Sequence, residues 1–245
     1  MKILFIITIL FIVSLNCKAQ NKVAGTLPAW DKGNADIIMG MAELFSVGTV
    51  HGNGEFAIAL TNDVLEKTKK SMEAYNSASS GGCLKLNTLK RVFRCYEEDV
   101  LTVTNGDQQA VTLATMGAIG IANLDQNEMH GNFMSANSRA FAEAFQSFGQ
   151  KDAVKGFYLN WYLLEAPASV KGTCNTTTYA LNQKDSYEQI STYDLKFKDG
   201  WNLVKISLVE TYTDADGKTY GSSWTYRTIN DMPEETQFIF FGEEH

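Results

Sequence analysis

Residues 201–228 read WNLVKISLVETYTDADGKTYGSSWTYRT. The first arm alternates, with Val204, Ile206 and Leu208 on one side and Lys205 and Ser207 on the other. Asp214-Ala215-Asp216-Gly217 follows, a cluster that tolerates the tight backbone of a reversal, and the alternation resumes from Lys218 to Thr228. Apolar and polar residues repeating with period two on both sides of such a cluster predict two antiparallel strands joined by a turn. On the second arm Tyr220, Ser222, Trp224 and Tyr226 share one face, and Gly221, Ser223, Thr225 and Arg227 share the other. The second set is so polar that the Trp224 face must supply the buried side.

The same grammar recurs upstream. Leu44 to Val50 runs into His51-Gly52-Asn53-Gly54, after which Phe56, Ile58 and Leu60 alternate with smaller or polar residues. Val100 to Thr104 turns at Asn105-Gly106-Asp107 into Ala110 to Thr115, predicting a further hairpin. Phe157 to Leu164 is a run of aromatic and aliphatic residues closed by Pro167. Two segments depart from this pattern. In Asp63 to Tyr75 the residues Val64, Leu65, Thr68, Met72 and Tyr75 fall on one helical face, and Asp63 with Glu66 resembles a capping box. Ser138 to Phe148 places Phe141, Phe145 and Phe148 at helical spacing, with Gly149 as a stop.

Many short strands separated by turns predict a mainly β fold, an antiparallel sandwich, compound sandwich or open barrel with one or two short helices. A seam near Gly149-Gln150 divides the chain into β-rich halves, 20–149 and 150–245, which could also form one compound domain.

The N-terminus sets the compartment. Met1-Lys2 precedes thirteen residues, Ile3 to Leu15, that are apolar except for Thr8 and Ser14, and Cys17-Lys18-Ala19 supplies a small-x-small tail. This predicts a signal peptide over residues 1–19, with the mature chain starting at Gln20. The run is too short to span a bilayer, which needs about 20 residues. Lipidation of Cys17 is the competing reading, opposed by Asn16 in the position where a small residue is wanted. Either route predicts export to the periplasm, cell surface or medium. Removing Lys2 and Lys18 moves the formal charge from −7 to −9, which disfavours nucleic acid and anionic membranes as partners.

Three cysteines then remain. In an oxidising compartment Cys83 and Cys95, flanking eleven residues, form the expected disulfide, with Cys174 left as a buried thiol. There is no Cys-x-x-Cys for a redox centre or zinc ribbon.

Two segments resemble exported bacterial proteins of unknown function. They are Gly48 with Gly54-x-Phe56-x-Ile58-x-Leu60, and Val170-x-Gly172 followed by Asp194-Leu195-x-x-Lys198-x-Gly200-Trp201-Asn202-x-Val204. The matching residues are turn and strand positions. The resemblance therefore implies secretion and β-architecture, and brings no catalytic residues.

Catalytic constellations are sparse. The histidines are His51, His130 and His245, and neither Gly-x-Ser-x-Gly nor His-Glu-x-x-His occurs. Glu97-Glu98-Asp99 and Glu234-Glu235 are adjacent acids, which on a strand point to opposite faces and form no pair. Glu165 is a better-placed lone acid. Asp214-x-Asp216-Gly217 resembles the start of a calcium loop, but Thr225 stands where the bidentate glutamate belongs. No metal or cofactor is expected.

Aromatic residues offer the remaining chemistry. Trp224 and Tyr226, with Tyr158 and Tyr162, are the candidate ligand-binding residues, since an aromatic strip on a sheet can stack against flat or sugar rings. Trp224 and Tyr226 read first as core, and Tyr158 and Tyr162 read as more open but still first as structural. The function predicted is a non-enzymatic exported binding or interaction protein for a glycan, a protein or a small apolar molecule. A carboxylate-dependent hydrolase and a structural subunit of a surface assembly are the alternatives.

Overall fold

The computed structural model describes residues 22–41, 43–78, 83–95 and 100–242. The predicted signal segment, Glu97-Glu98-Asp99 and His245 lie outside these residues. Over the described residues the protein is mainly β, a large sheet of fourteen strands that does not close, accompanied by three helices.

The strands are β1 Lys22–Thr26, β2 Ala35–Met39, β3 Phe45–Val50, β4 Glu55–Ala59, β5 Thr102–Thr104, β6 Ala110–Thr112 and β7 Ala118–Asn123. They continue as β8 Glu128–Ala136, β9 Gly156–Leu164, β10 Ala168–Tyr179, β11 Ser186–Phe197, β12 Gly200–Thr213, β13 Thr219–Ile229 and β14 Gln237–Gly242. The helices are α1 Val64–Ala78, α2 Leu89–Val92 and α3 Arg139–Gln146. Hydrogen bonding runs β1-β4-β3-β2-β7-β8-β9-β12-β13-β11-β10-β5, with β14 pairing β8 and β6 pairing β9.

β9 explains why the sheet has two cores. Phe157, Leu159, Trp161 and Leu163 point into one apolar cluster with Ile37, Phe56, Ile121 and Phe133. Tyr158, Tyr162 and Leu164 point the other way, into a cluster with Phe141, Val170, Leu195 and Val204. A strand covered on both faces reads as a continuous apolar run, which is what the sequence shows. Both clusters draw residues from either side of Gly149-Gln150, although along the sheet β8 and β9 are joined by the single pair Ala136↔Tyr158. Asn160, buried in this apolar strand, satisfies its amide through Ala114: its Oδ1 accepts from Ala114 N at 3.2 Å and its Nδ2 donates to Ala114 O at 3.3 Å.

The hairpins β3–β4 and β12–β13 form as the turn chemistry predicts. The one expected from Val100 to Thr115 does not. β5 pairs with β10 and β6 with β9, because the loop between them is spent on other partners. Leu89 N and Lys90 N donate to Gln108 O and Gly106 O, and Asn105 Nδ2 donates to Pro167 O. One pair also departs from the antiparallel expectation, since β13 returns between β11 and β12 and lies parallel to β11.

α1 and α3 fall where the periodicity places them. Ser138 caps α3 by accepting from Phe141 N at 3.2 Å, and the left-handed Phe148 and Gly149 end its turn. The disulfide joins Cys95 to Cys174, leaving Cys83 free and exposed, so the expected Cys83–Cys95 pairing is corrected. The segment between those two cysteines does not reverse and return. Leu84 is held to Asn76 of α1 by two hydrogen bonds, and the chain then crosses through α2 toward β10.

Candidate functional site

An apolar, aromatic-walled concavity lies where α3 and the loop after it pass over β11 and β13. It has a volume of about 180 Å³, and its aromatic walls are Phe141, Phe145, Tyr187, Tyr220 and Trp224. Each wall has a local cause. α3 turns Phe141 and Phe145 toward the sheet, their rings stacked at 6.0 Å, and Phe145 meets Trp224 edge-on at 5.8 Å. On the sheet, Tyr187 stacks between Tyr212 at 4.9 Å and Tyr220 at 5.5 Å, forming a three-ring ladder across β11, β12 and β13.

Trp224 owes its position to an irregularity. The β12–β13 register runs Leu208↔Trp224, Glu210↔Ser223, Thr211↔Gly221, skipping Val209 on one strand and Ser222 on the other. Such a bulge re-aims side chains. It breaks the strict alternation expected for residues 220–226 and brings Gly221 against the Trp224 ring. A Cβ at Gly221 would stand 3.1 Å from Trp224 Cζ2, so the absent side chain leaves room for the indole. Trp224 is half-buried, packed on the core at one edge and open to the cleft at the other. Its indole N–H has no acceptor among the described residues.

The other aromatic candidates are not brought to this surface. Tyr158 and Tyr162 are 8 % and 5 % exposed, more buried than the half-buried Trp224, so the expectation that they are the more open pair is corrected and their structural reading is kept. The reason is the central position of β9, which covers both of its faces. Burial pushes both phenols above the usual tyrosine range. Tyr226 is half-buried overall, but its ring stacks on Tyr193 at 4.6 Å, and burial raises its phenol as well. These three belong with the core, and Trp224 alone of the four lines the cleft.

The polar candidates are occupied elsewhere. His51 sits exposed in the β3–β4 turn, whereas His130 is buried on strand β8, its ring 5.9 Å from Trp30 and its Nδ1 3.7 Å from Glu128. Glu165 lines a shallow depression with Glu66 and Asp199, and Glu66 is bound to Lys69 at 2.8 Å. Glu234 and Glu235 are exposed in the turn before β14. The Asp214 carboxylate is consumed within its hairpin tip, accepting from Asp216 N, Lys218 N, Tyr220 Oη and Asn182 Nδ2. Among the described residues no group of three or more His, Cys, Asp or Glu is arranged to hold a metal ion.

A second, shallower groove of about 720 Å³ lies beside β2, β7, β8 and β14 and carries no ionisable side chain. Met116 and Phe148 stand exposed at its rim, at 56 % and 66 %, both in left-handed backbone with φ of 48° and 50°. Comparison with protein-family models, with characterised proteins and with solved structures finds no match.

Sequence reasoning named Trp224, reading it first as core, and did not name the residues around it as its neighbours. Tyr187 lies on β11, whose residues 186–192 show no clean alternation. Phe145 was legible as part of an amphipathic helix, but the surface that helix would cover was not.

Proposed function

We propose that this is an exported, non-enzymatic binding protein whose α3–β13 cleft holds a flat ring of a small, predominantly apolar ligand. The observation that carries the reading is Trp224. A large aromatic side chain is re-aimed by a bulge, left half-buried, and set, with an indole N–H that has no acceptor among the described residues, in a cleft walled by four further rings. Aromatic walls give affinity through stacking and burial, and a few polar groups at the edge fix orientation. Here those groups are the Trp224 N–H, Gln189 and Thr219. Lys151, the one charged residue at the rim, is already paired with Glu143 at 3.0 Å. A sugar ring presents a flat face to the same walls and is the competing occupant.

Export accords with the signal-like N-terminus and with a disulfide, which persists in oxidising compartments. No helix among the described residues is long and apolar enough to cross a membrane.

The test is tryptophan fluorescence and calorimetry on the wild type and on Trp224→Ala, titrated with indole, with naphthalene sulfonate and with soluble oligosaccharides. Indole-type ligands should saturate the wild type and lose at least tenfold in affinity on Trp224→Ala, with a stability cost of about 1–2 kcal/mol for a half-buried ring. Tyr187→Ala should weaken binding with less effect on folding. Equal binding by wild type and both variants refutes the cleft assignment, and saturation by oligosaccharide alone transfers it to a glycan.

A further inference from the structure

A second cleft, on the opposite face of the sheet, has a different chemistry. It opens where β13 wedges between β11 and β12, beneath the end of β4, and has a volume of about 180 Å³. Its construction follows from the crossing of the strands. Asn202 clamps the short β11–β12 connection, accepting from Lys198 N at 2.9 Å and donating to Lys198 O and Gly200 O at 2.8 and 2.9 Å. Trp201 ties the roof to the sheet by donating from Nε1 to Thr61 O at 3.0 Å. The register pairs Trp161 with Leu203 and Leu203 with Ile229, so these side chains form a row across three strands on one face. On β11, Leu195 and Phe197 turn into the opposite core, which puts Lys196 on the face of that row.

The groups gathered there are mostly donors. Trp161 is 2 % exposed, and its buried indole N–H has no acceptor among the described residues, whereas the neighbouring Trp201 indole is satisfied. Buried donors are nearly always paired, with protein, water or ligand. Lys196 and Lys198 both line the cleft and make no ion pair among the described residues, and no carboxylate lines it. Two ammonium groups and a buried N–H, none with a partner among the described residues, beside Leu60, Leu203 and Ile229 make a local cationic patch on an acidic protein. The formal charge of −7 does not cancel it, because charges beyond about 8–10 Å are screened at physiological salt.

We propose that this cleft binds the carboxylate of a small organic acid, with Lys196 and Lys198 contacting the anion, the Trp161 N–H filled on binding, and Leu60 and Ile229 flanking the alkyl portion. The site is independent of the aromatic cleft, which shares no lining residue with it. Fully hydrogen-bonded carboxylates paired with ammonium groups are favoured over a neutral isostere, since the hydrogen bonds are charge-assisted.

The experiment follows the Trp161 indole N–H by NMR, assigned with Trp161→Phe, at constant ionic strength. The titrants are isobutyrate and its neutral counterpart isobutyramide. Isobutyrate should shift that resonance downfield and saturate, and isobutyramide should not. Lys196→Gln combined with Lys198→Gln should weaken isobutyrate by about tenfold while leaving the melting temperature unchanged, as both side chains are exposed. Trp224→Ala should leave the isobutyrate response intact, so that failure of this site and failure of the aromatic cleft read separately. Absence of saturation, an equal response to isobutyramide, or indifference to the paired lysine substitutions overturns the proposal and leaves the Trp161 N–H to an ordered water.

Discussion

Replacing both Cys95 and Cys174 with alanine should remove a large share of this protein's margin of stability. The bridge spans a sequence separation of 79 residues. In the chain-entropy picture, closing a loop of that length restricts the unfolded chain by about 4.5 kcal/mol at 25 °C. Domains of this kind are stable by only about 5–15 kcal/mol in total, so the loss is a large share. The bridge also has a local task, since it fastens the segment after α2, with Phe93 packed on Tyr162 at 5.3 Å, to strand β10. Urea unfolding followed by circular dichroism measures the effect. The double variant should unfold at a lower midpoint and with a steeper slope, because its unfolded chain is no longer cross-linked and exposes more surface. Cys83→Ser should leave both values unchanged, since Cys83 is exposed and unbridged. A loss below about 1 kcal/mol in the double variant would refute the entropic argument. Peptide mapping that links Cys83 to either partner would refute the pairing itself.

Two further outcomes follow from the second core. Asn160→Leu should cost about 2–3 kcal/mol, because Ala114 N and O lose the side-chain amide that pairs them, and thermal unfolding reads the loss directly. Tyr158, Tyr162 and Tyr226 hold their protons more tightly folded than unfolded, through burial, so their stabilising contribution is complete below the ordinary tyrosine value of 10.0 and is lost as pH rises above it. Melting temperature should therefore fall steeply on the alkaline side of that value. The phenolate absorbance of these three residues should appear together with unfolding, and their gradual titration in the folded protein would count against their burial.

What was legible in the sequence was local. The β3–β4 and β12–β13 hairpins announce themselves because turn and flanking strands are contiguous, and α3 because Ser138, the phenylalanine spacing and Gly149 agree. Pairing between distant segments has no such marker. Val103 and Val111 read as two arms of one hairpin, yet each finds its partner more than fifty residues away, in β10 and β9. Of β10 and β11 only short pieces, near Val170 and Asp194-Leu195, were read as strand, because Thr173, Thr176, Thr177 and Thr178 present polar groups on both faces of β10 and Ser186 to Thr192 of β11 show no alternation. The cysteine pairing failed for a related reason, since spacing along the chain favoured the nearer partner and the fold delivered the farther one. Tyr158 and Tyr162 read first as structural but as more open than they are, because coverage of a central strand depends on neighbours that period-two patterning does not name. Both clefts are assembled from separate segments, and only Trp224 carried a signal of its own.

The pairing of β14 with β8 has a consequence for how the chain comes into being. Gln237 follows its ladder partner Ala136 by 101 residues, and Phe238 packs against Phe56 at 4.8 Å within the first core. Strands emerging early from the ribosome therefore lack one wall of their own interior until almost everything downstream has been synthesised. Contacts of such long range close slowly, because loop entropy must be met before they return any energy. The first core is therefore completed only by a strand from the far end of the chain, so its closing contact should be among the last to form as the chain folds.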